Sequence, residues 1–304
     1  MLMLSGGKDS MYMLYKLITK DNARPLAFTL NHPYESKNAN SNIEKAIEKL
    51  GVDHICYTPN LHKYKILMNK IFTENQETIR EKIINRPCMM CTSVIMVSAY
   101  IYAYKLGIPY ILYCADPHQS TYISDNIRHT ISNLVNTYGT EFLYEFFDEE
   151  PIRYILEKDD KTPPYLVFPY MTMDDYNPEK IISELKSLDL YDSSPIETHC
   201  SLYGLLNYYS FKRHDCHYYA RELSVAIRAG DIDRSQAVGY LEQYKNIILN
   251  LAVKDELTCE EKKYIRDVLK LRFPNSTSEA EREYEYVMSL KKISKELGVE
   301  LDNI

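Results

Sequence analysis

Short apolar runs alternate with amphipathic stretches through the first 120 or so residues, with glycines and polar residues at the joints. That rhythm predicts a parallel sheet covered by helices. Residues 2–4 read as the end of a first strand and 11–18 as the helix after it. A second strand is expected over 25–30, a helix over 42–50 stopped by Gly51, and a third strand over 52–57. A long helix is expected over 63–84. Another covers 91–106 and ends on Gly107, the residue type best able to take a left-handed C-terminal position. A fourth strand follows at 108–114. Almost nothing precedes the first strand, which reads as either a truncated start or a degenerate edge.

Periodicity weakens over residues 121–190, where Pro163-Pro164 and the acidic run Asp148-Glu149-Glu150 suggest an insertion or connecting lobe. This lobe is expected to carry substrate contacts rather than the ligand grip, which falls to the loop after the first strand. From residue 191 onward the pattern is helical. Asp233 can cap a helix over 234–246, Thr258 with Glu261 makes a capping box, and Ser278 precedes a last helix running to 297. The expected division is therefore 1–125, 126–190 and 191–304, the last a helical region contributing to a substrate site.

With 304 residues, 45% of them hydrophobic, the chain can bury a substantial core. Its formal charge is −7 and its Lys and Arg are scattered, which favours a small-molecule substrate over nucleic acid, with tRNA left open. No run approaches the roughly 20 apolar residues of a spanning helix. The N-terminus lacks the features of a signal peptide, so no membrane and a cytoplasmic location are expected. Seven cysteines suit reduced thiols, metal ligation or sulfur chemistry better than a disulfide framework.

The chemistry concentrates first in Ser5-Gly6-Gly7-Lys8-Asp9-Ser10, directly between the first strand and its helix. Two glycines permit a sharp turn that aims backbone N–H groups at an anion, and the positive end of the helix faces the same spot. Ser5 and Ser10 add hydroxyls, Lys8 adds positive charge, and Asp9 is suited to a Mg²⁺ ion bridging phosphates. A Walker A loop would need glycine where Leu2 stands, so that alternative fails. These six residues resemble the signature of the N-type ATP pyrophosphatases, the adenine nucleotide alpha hydrolase-like or PP-loop superfamily. The resemblance implies a doubly wound, Rossmann-like α/β fold (the HUP class) with ATP and Mg²⁺ as cofactors. It also implies cleavage of ATP between the alpha and beta phosphates and transfer of AMP to a carbonyl-type oxygen. Ammonia or a sulfur carrier then displaces the AMP.

Cys88-Met89-Met90-Cys91 sets two thiols one turn apart at a helix start, where the helix dipole favours thiolate. The pair can ligate a metal or cluster, carry sulfur, or serve as small buried side chains. Its position resembles that of a similar pair in the tRNA 2-thiocytidine synthetase branch of the superfamily. That likeness implies a third cysteine completing a [4Fe-4S] site, with Cys200 as the matching candidate and Cys216, in His214-Asp215-Cys216-His217, as competitor; the latter cluster is also a zinc candidate on paper. Cys56, Cys114 and Cys259 read as structural. Residues 25–30, the Leu106-Gly107-Ile108-Pro109 run and Ala226-Ile227-Arg228-Ala229-Gly230 with Arg234 resemble the N-acetyl sugar amidotransferase and lipopolysaccharide-biosynthesis group, and its small-molecule-thiolating relatives.

Asp116-Pro117-His118-Gln119-Ser120 follows the fourth strand at its carboxyl end, where open α/β sheets bind ligands. Asp116 there suits Mg²⁺ or substrate and His118 suits acid or base work, against the alternative of a solvated loop. Asn31 and His32 follow the second strand as nucleotide contacts by the same rule. Arg228 and Arg234 are candidates for phosphate or for helix bracing. The expected activity is adenylation by Lys8 and Asp9 followed by sulfur transfer through Cys88 and Cys91. The alternatives are amidation and a non-catalytic adenine-nucleotide sensor. Expected partners are a small-molecule substrate, a sulfur donor or a glutaminase subunit, and a second copy of the chain as a homodimer.

Overall fold

A computed structural model describes residues 1–35, 37–73, 86–117, 126–157, 162–173, 175–192, 200–218, 220–229, 233–272 and 277–304. The chain divides into two compact units, one formed by Met1–Tyr64 and Met90–Ser194, the other by Lys65–Met89 and Pro195–Ile304.

The first unit is an α/β layer structure. Its strands are β1 (Leu2–Met3), β2 (Ala27–Leu30), β3 (His54–Tyr57), β4 (Tyr110–Leu112) and β5 (Tyr165–Val167), interleaved with helices α1 (Lys8–Thr19) and α2 (Lys37–Leu50) and with parts of α3 (Leu61–Thr73) and α4 (Arg86–Lys105), whose residues from Lys65 and up to Met89 belong to the second unit. They form one sheet in the order β3-β2-β1-β4-β5. Every pairing is parallel, with Leu2 opposite both Ala27 and Leu112 and with Tyr110 opposite Tyr165. Parallel strands are buried on both faces, which is why β1 and β2 are wholly buried and, apart from Thr29, apolar.

β1 is therefore no degenerate edge. It lies at the centre of the sheet, paired with β2 on one side and β4 on the other. The apolar residues of α1 and α2 (Met11, Leu14, Ile43, Ala46) share one core cluster with Leu2, Ala27, Tyr170, Ile181 and Leu185. The order reverses between β1 and β4. Such a switch point leaves a crevice at the carboxyl ends of these two strands, the general ligand position in open α/β sheets.

Four strands stand where the apolar runs predict them. β5 does not, because it has three residues just after Pro163-Pro164 and offers no period to read. α4 begins at Arg86, so both cysteines of the 88–91 motif lie in its first turns. Of the helix expected over 63–84, Leu61–Thr73 is observed and residues 74–85 lie outside those described.

The second unit is helical after residue 200. Asp233 caps helix Arg234–Asn246 by accepting from the N–H groups of Ser235 and Gln236. Thr258 and Glu261 exchange the two bonds of a capping box, at 2.8 and 3.2 Å. The final helix is two, Thr277–Met288 and Leu290–Leu297. Gly204 permits helix Tyr203–His214 to approach the backbone of Thr277–Met288 closely, since a Cβ there would lie 2.6 Å from the Tyr286 carbonyl oxygen. Among the described residues no helix is long and apolar enough to cross a membrane.

Candidate functional site

The loop after β1 is shaped by its own sequence. Gly6 has φ +71°, a conformation costly for any side chain, and a Cβ there would come 2.3 Å from the carbonyl oxygen of Ala39 in α2. Gly7 is the N-cap of α1 and brings no capping side chain, so the first turn presents its N–H groups outward. Ser10 closes the loop. Its hydroxyl donates to the Gly7 carbonyl at 3.1 Å, accepts from the Ser5 N–H at 3.2 Å, and lies 3.1 Å from the Ser5 hydroxyl. Ser5 Oγ in turn accepts from the Gly7 N–H at 3.4 Å.

Lys8 and Asp9 are held from farther along the chain. Lys8 Nζ donates to Asp9 Oδ2 at 2.7 Å and to the Tyr176 hydroxyl at 3.2 Å, and Tyr176 donates to Asp9 Oδ1 at 2.9 Å. The Tyr170 hydroxyl donates to the Asp9 carbonyl at 2.8 Å. Burial pushes the Asp9 carboxyl above the ordinary range. Lys8 and its own hydrogen bonds pull it back, and the Asp116 charge adds to the upward push. Asp116 follows β4, the strand neighbouring β1, and its charge reaches Asp9. Burial also drives the Tyr170 phenol and the Cys114 thiol upward.

Asn42 completes the loop from beneath. It is fully buried on α2, donates to the Gly6 carbonyl at 2.9 Å, and accepts from the Asp192 N–H at 2.8 Å. Sequence reasoning missed Asn42, Tyr170 and Tyr176. Asn42 left a trace, a polar residue among Ala39, Ile43 and Ala46 on the apolar face of α2, where a buried amide needs partners. The tyrosines left none, and they belong to the lobe expected to carry substrate contacts.

At the carboxyl end of β2, Asn31 donates through its side chain to Thr58 at 3.1 Å. His32 lies flat against Tyr64, ring centroids 5.8 Å apart at 13°. The Tyr34 N–H donates to His32 Nδ1 at 3.2 Å, and burial lowers the imidazole to about 4, so the ring is neutral. Tyr64 is fully buried and its hydroxyl lies 2.8 Å from Cys91 Sγ. A string from His32 through Tyr64 thus ties a thiol to the end of the strand neighbouring β1. Glu35 stands in the same segment; burial raises its carboxyl to about 8, and its Oε2 is buried without a hydrogen-bond partner.

Cys88 and Cys91 are both half-buried on α4, and Cys200 is half-buried in the second unit. Their soft thiols suit iron, sulfide or a persulfide. Among the described residues, however, no three His, Cys, Asp or Glu side chains gather into a group that could hold a metal ion. That statement includes His214, Cys216 and His217. Cys56 and Cys259, read as structural, are exposed. Arg228 and Arg234 are exposed on helices of the second unit. His118 and the Glu197-Thr198-His199 run before Cys200 lie outside the described residues.

Fold and site together define a doubly wound α/β protein with a glycine-turned, serine-closed loop at its switch point. No known family model matches the chain, and no curated protein matches it in sequence. Among solved structures similar to it is the U34-tRNA thiolase NcsA from Methanococcus maripaludis with its [4Fe-4S] cluster, at 16% identity and TM-score 0.37, covering 85% of this chain and 76% of that one. Another is NMN synthetase from Francisella tularensis, at 12% identity and TM-score 0.32, covering 70% of this chain and 84% of that one. At these scores neither carries an inference about this chain.

Proposed function

We propose that the protein is an ATP pyrophosphatase-type enzyme that adenylates a carbonyl-type oxygen of a small molecule and then replaces the AMP with sulfur. The observation that carries the first half is the Gly6–Ser10 loop opening α1 at the switch point, with Lys8, Asp9 and Asp116 around it. The triphosphate would lie against the outward N–H groups and the Lys8 ammonium. Mg²⁺, a hard cation preferring oxygen, would be held by Asp9 with Asp116 nearby and would supply charge neutralisation to the departing pyrophosphate. The substrate oxygen attacks the alpha phosphorus, the bond to the beta-phosphate bridge breaks, and pyrophosphate leaves. A sulfur nucleophile then adds to the activated carbon, and the oxygen departs with AMP.

The thiolation half rests on Cys91. Its contact with Tyr64, and the stacking of Tyr64 on His32, bring a thiol to the strand end beside β1. Adjacent parallel strands lie only about 4.8 Å apart. Cys91 is the thiol so placed, with Cys88 one turn before it on the same helix; as a persulfide, either would supply the outer sulfur, the S–S bond being cleaved by the other thiol to leave a disulfide.

The test is anaerobic incubation with Mg-ATP, ³⁵S-sulfide and a small-molecule extract, alongside iron and sulfide analysis of the wild type and of Cys88→Ala, Cys91→Ala and Cys200→Ala. Pyrophosphate release with ³⁵S entering a small molecule is expected, the Cys91 variant keeping the first and losing the second. Incorporation of ¹⁵N-ammonia that all three variants retain would replace thiolation with amidation. Tight AMP binding without any pyrophosphate release would make the protein a sensor.

A further inference from the structure

We infer that Tyr176 is a positioning residue of the phosphate loop, a phenol that keeps Lys8 and Asp9 oriented toward an incoming nucleoside triphosphate and its divalent cation; the inference rests on the proposed ATP reading. Tyr176 lies between the 3₁₀ turn Pro169–Thr172 and helix Pro178–Ser187, in the segment that follows β5. Its hydroxyl is used in both directions, accepting from the Lys8 ammonium and donating to Asp9 Oδ1. Lys8 itself takes the other carboxylate oxygen, Oδ2.

The two oxygens of Asp9 therefore have different partners, and that asymmetry carries the inference. A cation that displaces Lys8 from Oδ2 leaves Oδ1 bonded to Tyr176, so the carboxylate keeps its orientation. Lys8, released from Asp9, stays within reach of the phenol oxygen and is free to meet a phosphate. The Lys8 and Asp9 side chains keep 25% and 14% of their surface exposed, so both are reachable from solvent. Tyr176 is itself held, its ring edge-on to Tyr170 with centroids 5.1 Å apart at 70°. Tyr170 is anchored by its bond to the Asp9 carbonyl. The post-β5 segment thus grips the loop at backbone and side chain together.

Calorimetric titration with α,β-methylene-ATP, which cannot be split at the α–β bridge, tests this in EDTA and in Mg²⁺. The proteins compared are wild type, Tyr176→Phe, which keeps the ring on Tyr170, and Tyr144→Phe, which removes an exposed phenol elsewhere. Hydrogen bonds to charged groups are worth enough that Tyr176→Phe should cut the Mg²⁺-dependent gain in affinity about tenfold. Affinity in EDTA should change by less than about threefold, with the melting temperature within about 2 °C of wild type and Tyr144→Phe unchanged throughout. Equal weakening in both buffers with a lowered melting temperature would reveal a structural role and overturn the inference. Unaltered affinity in both would also overturn it while leaving the ATP reading standing. Failure of the wild type to bind the analogue would overturn the ATP reading and this inference with it.

Discussion

In the loop beyond β1, Ser5, Gly7 and Ser10 close hydrogen bonds within six residues, and Asn42, Tyr170 and Tyr176 are among the residues that reach in from elsewhere. Around Cys91 the reverse holds. His32, Tyr64 and Cys91 come from the end of β2, from α3 and from α4, and each touches the next through a ring face or a single O···S contact. The first region is specified by adjacent residues and braced by the fold; the second exists only because the fold brings it together. Backbone geometry therefore shapes the first, and the packing of buried polar side chains shapes the second.

The sharpest break in the first region is Gly6→Ala. Forcing a Cβ into a left-handed backbone and against the Ala39 carbonyl should cost about 3 kcal/mol or prevent folding. Thermal unfolding measures the cost, and ATP-analogue binding should be lost in whatever folds. Asn42→Ala removes three hydrogen bonds, one of them wholly buried, without touching the loop's sequence and should cost about 2 kcal/mol in denaturant unfolding. Unchanged stability would mean that the brace from α2 is dispensable.

On the thiol side, Glu35→Gln should act through pH. The unfolded carboxyl ionises near 4.5 and the folded one near 8, so the native state retains a proton that the unfolded state releases between these values. Native stability associated with Glu35 is then complete below the lower value and falls as pH rises toward the upper one. Glu35→Gln should stabilise the protein by about 2 kcal/mol at pH 6 and hardly at all at pH 4.5. Comparing denaturation midpoints at the two pH values checks both sign and window. Tyr64→Phe has the smallest expected effect, about 1 kcal/mol from the lost contact with Cys91. It should leave ATP-analogue affinity unchanged, which calorimetry would show, so a parallel loss of affinity would join the two regions energetically.

The same contrast explains what the residues reveal unaided. Strands β1 to β4, the glycine loop, the helix start at the cysteine pair, the Asp233 cap and the Thr258–Glu261 box are local patterns, and each is readable within a few residues. β5 is too short and too close to prolines to show a period. Tyr170 and Tyr176 stand more than 160 positions from Asp9, among 28 tyrosines with nothing local to distinguish them. The central place of β1 follows from its pairing with β2 and β4 and not from its own two residues.

The most direct test of the central claim is to incubate the protein with Mg²⁺ and ATP labelled at the alpha phosphate, together with a small-molecule extract, and to separate the nucleotide products. Appearance of AMP with an equal amount of pyrophosphate, abolished by Asp9→Ala, is the predicted result. ADP with inorganic phosphate would contradict the account, because it would mean that the loop beyond β1 serves cleavage at the gamma phosphate.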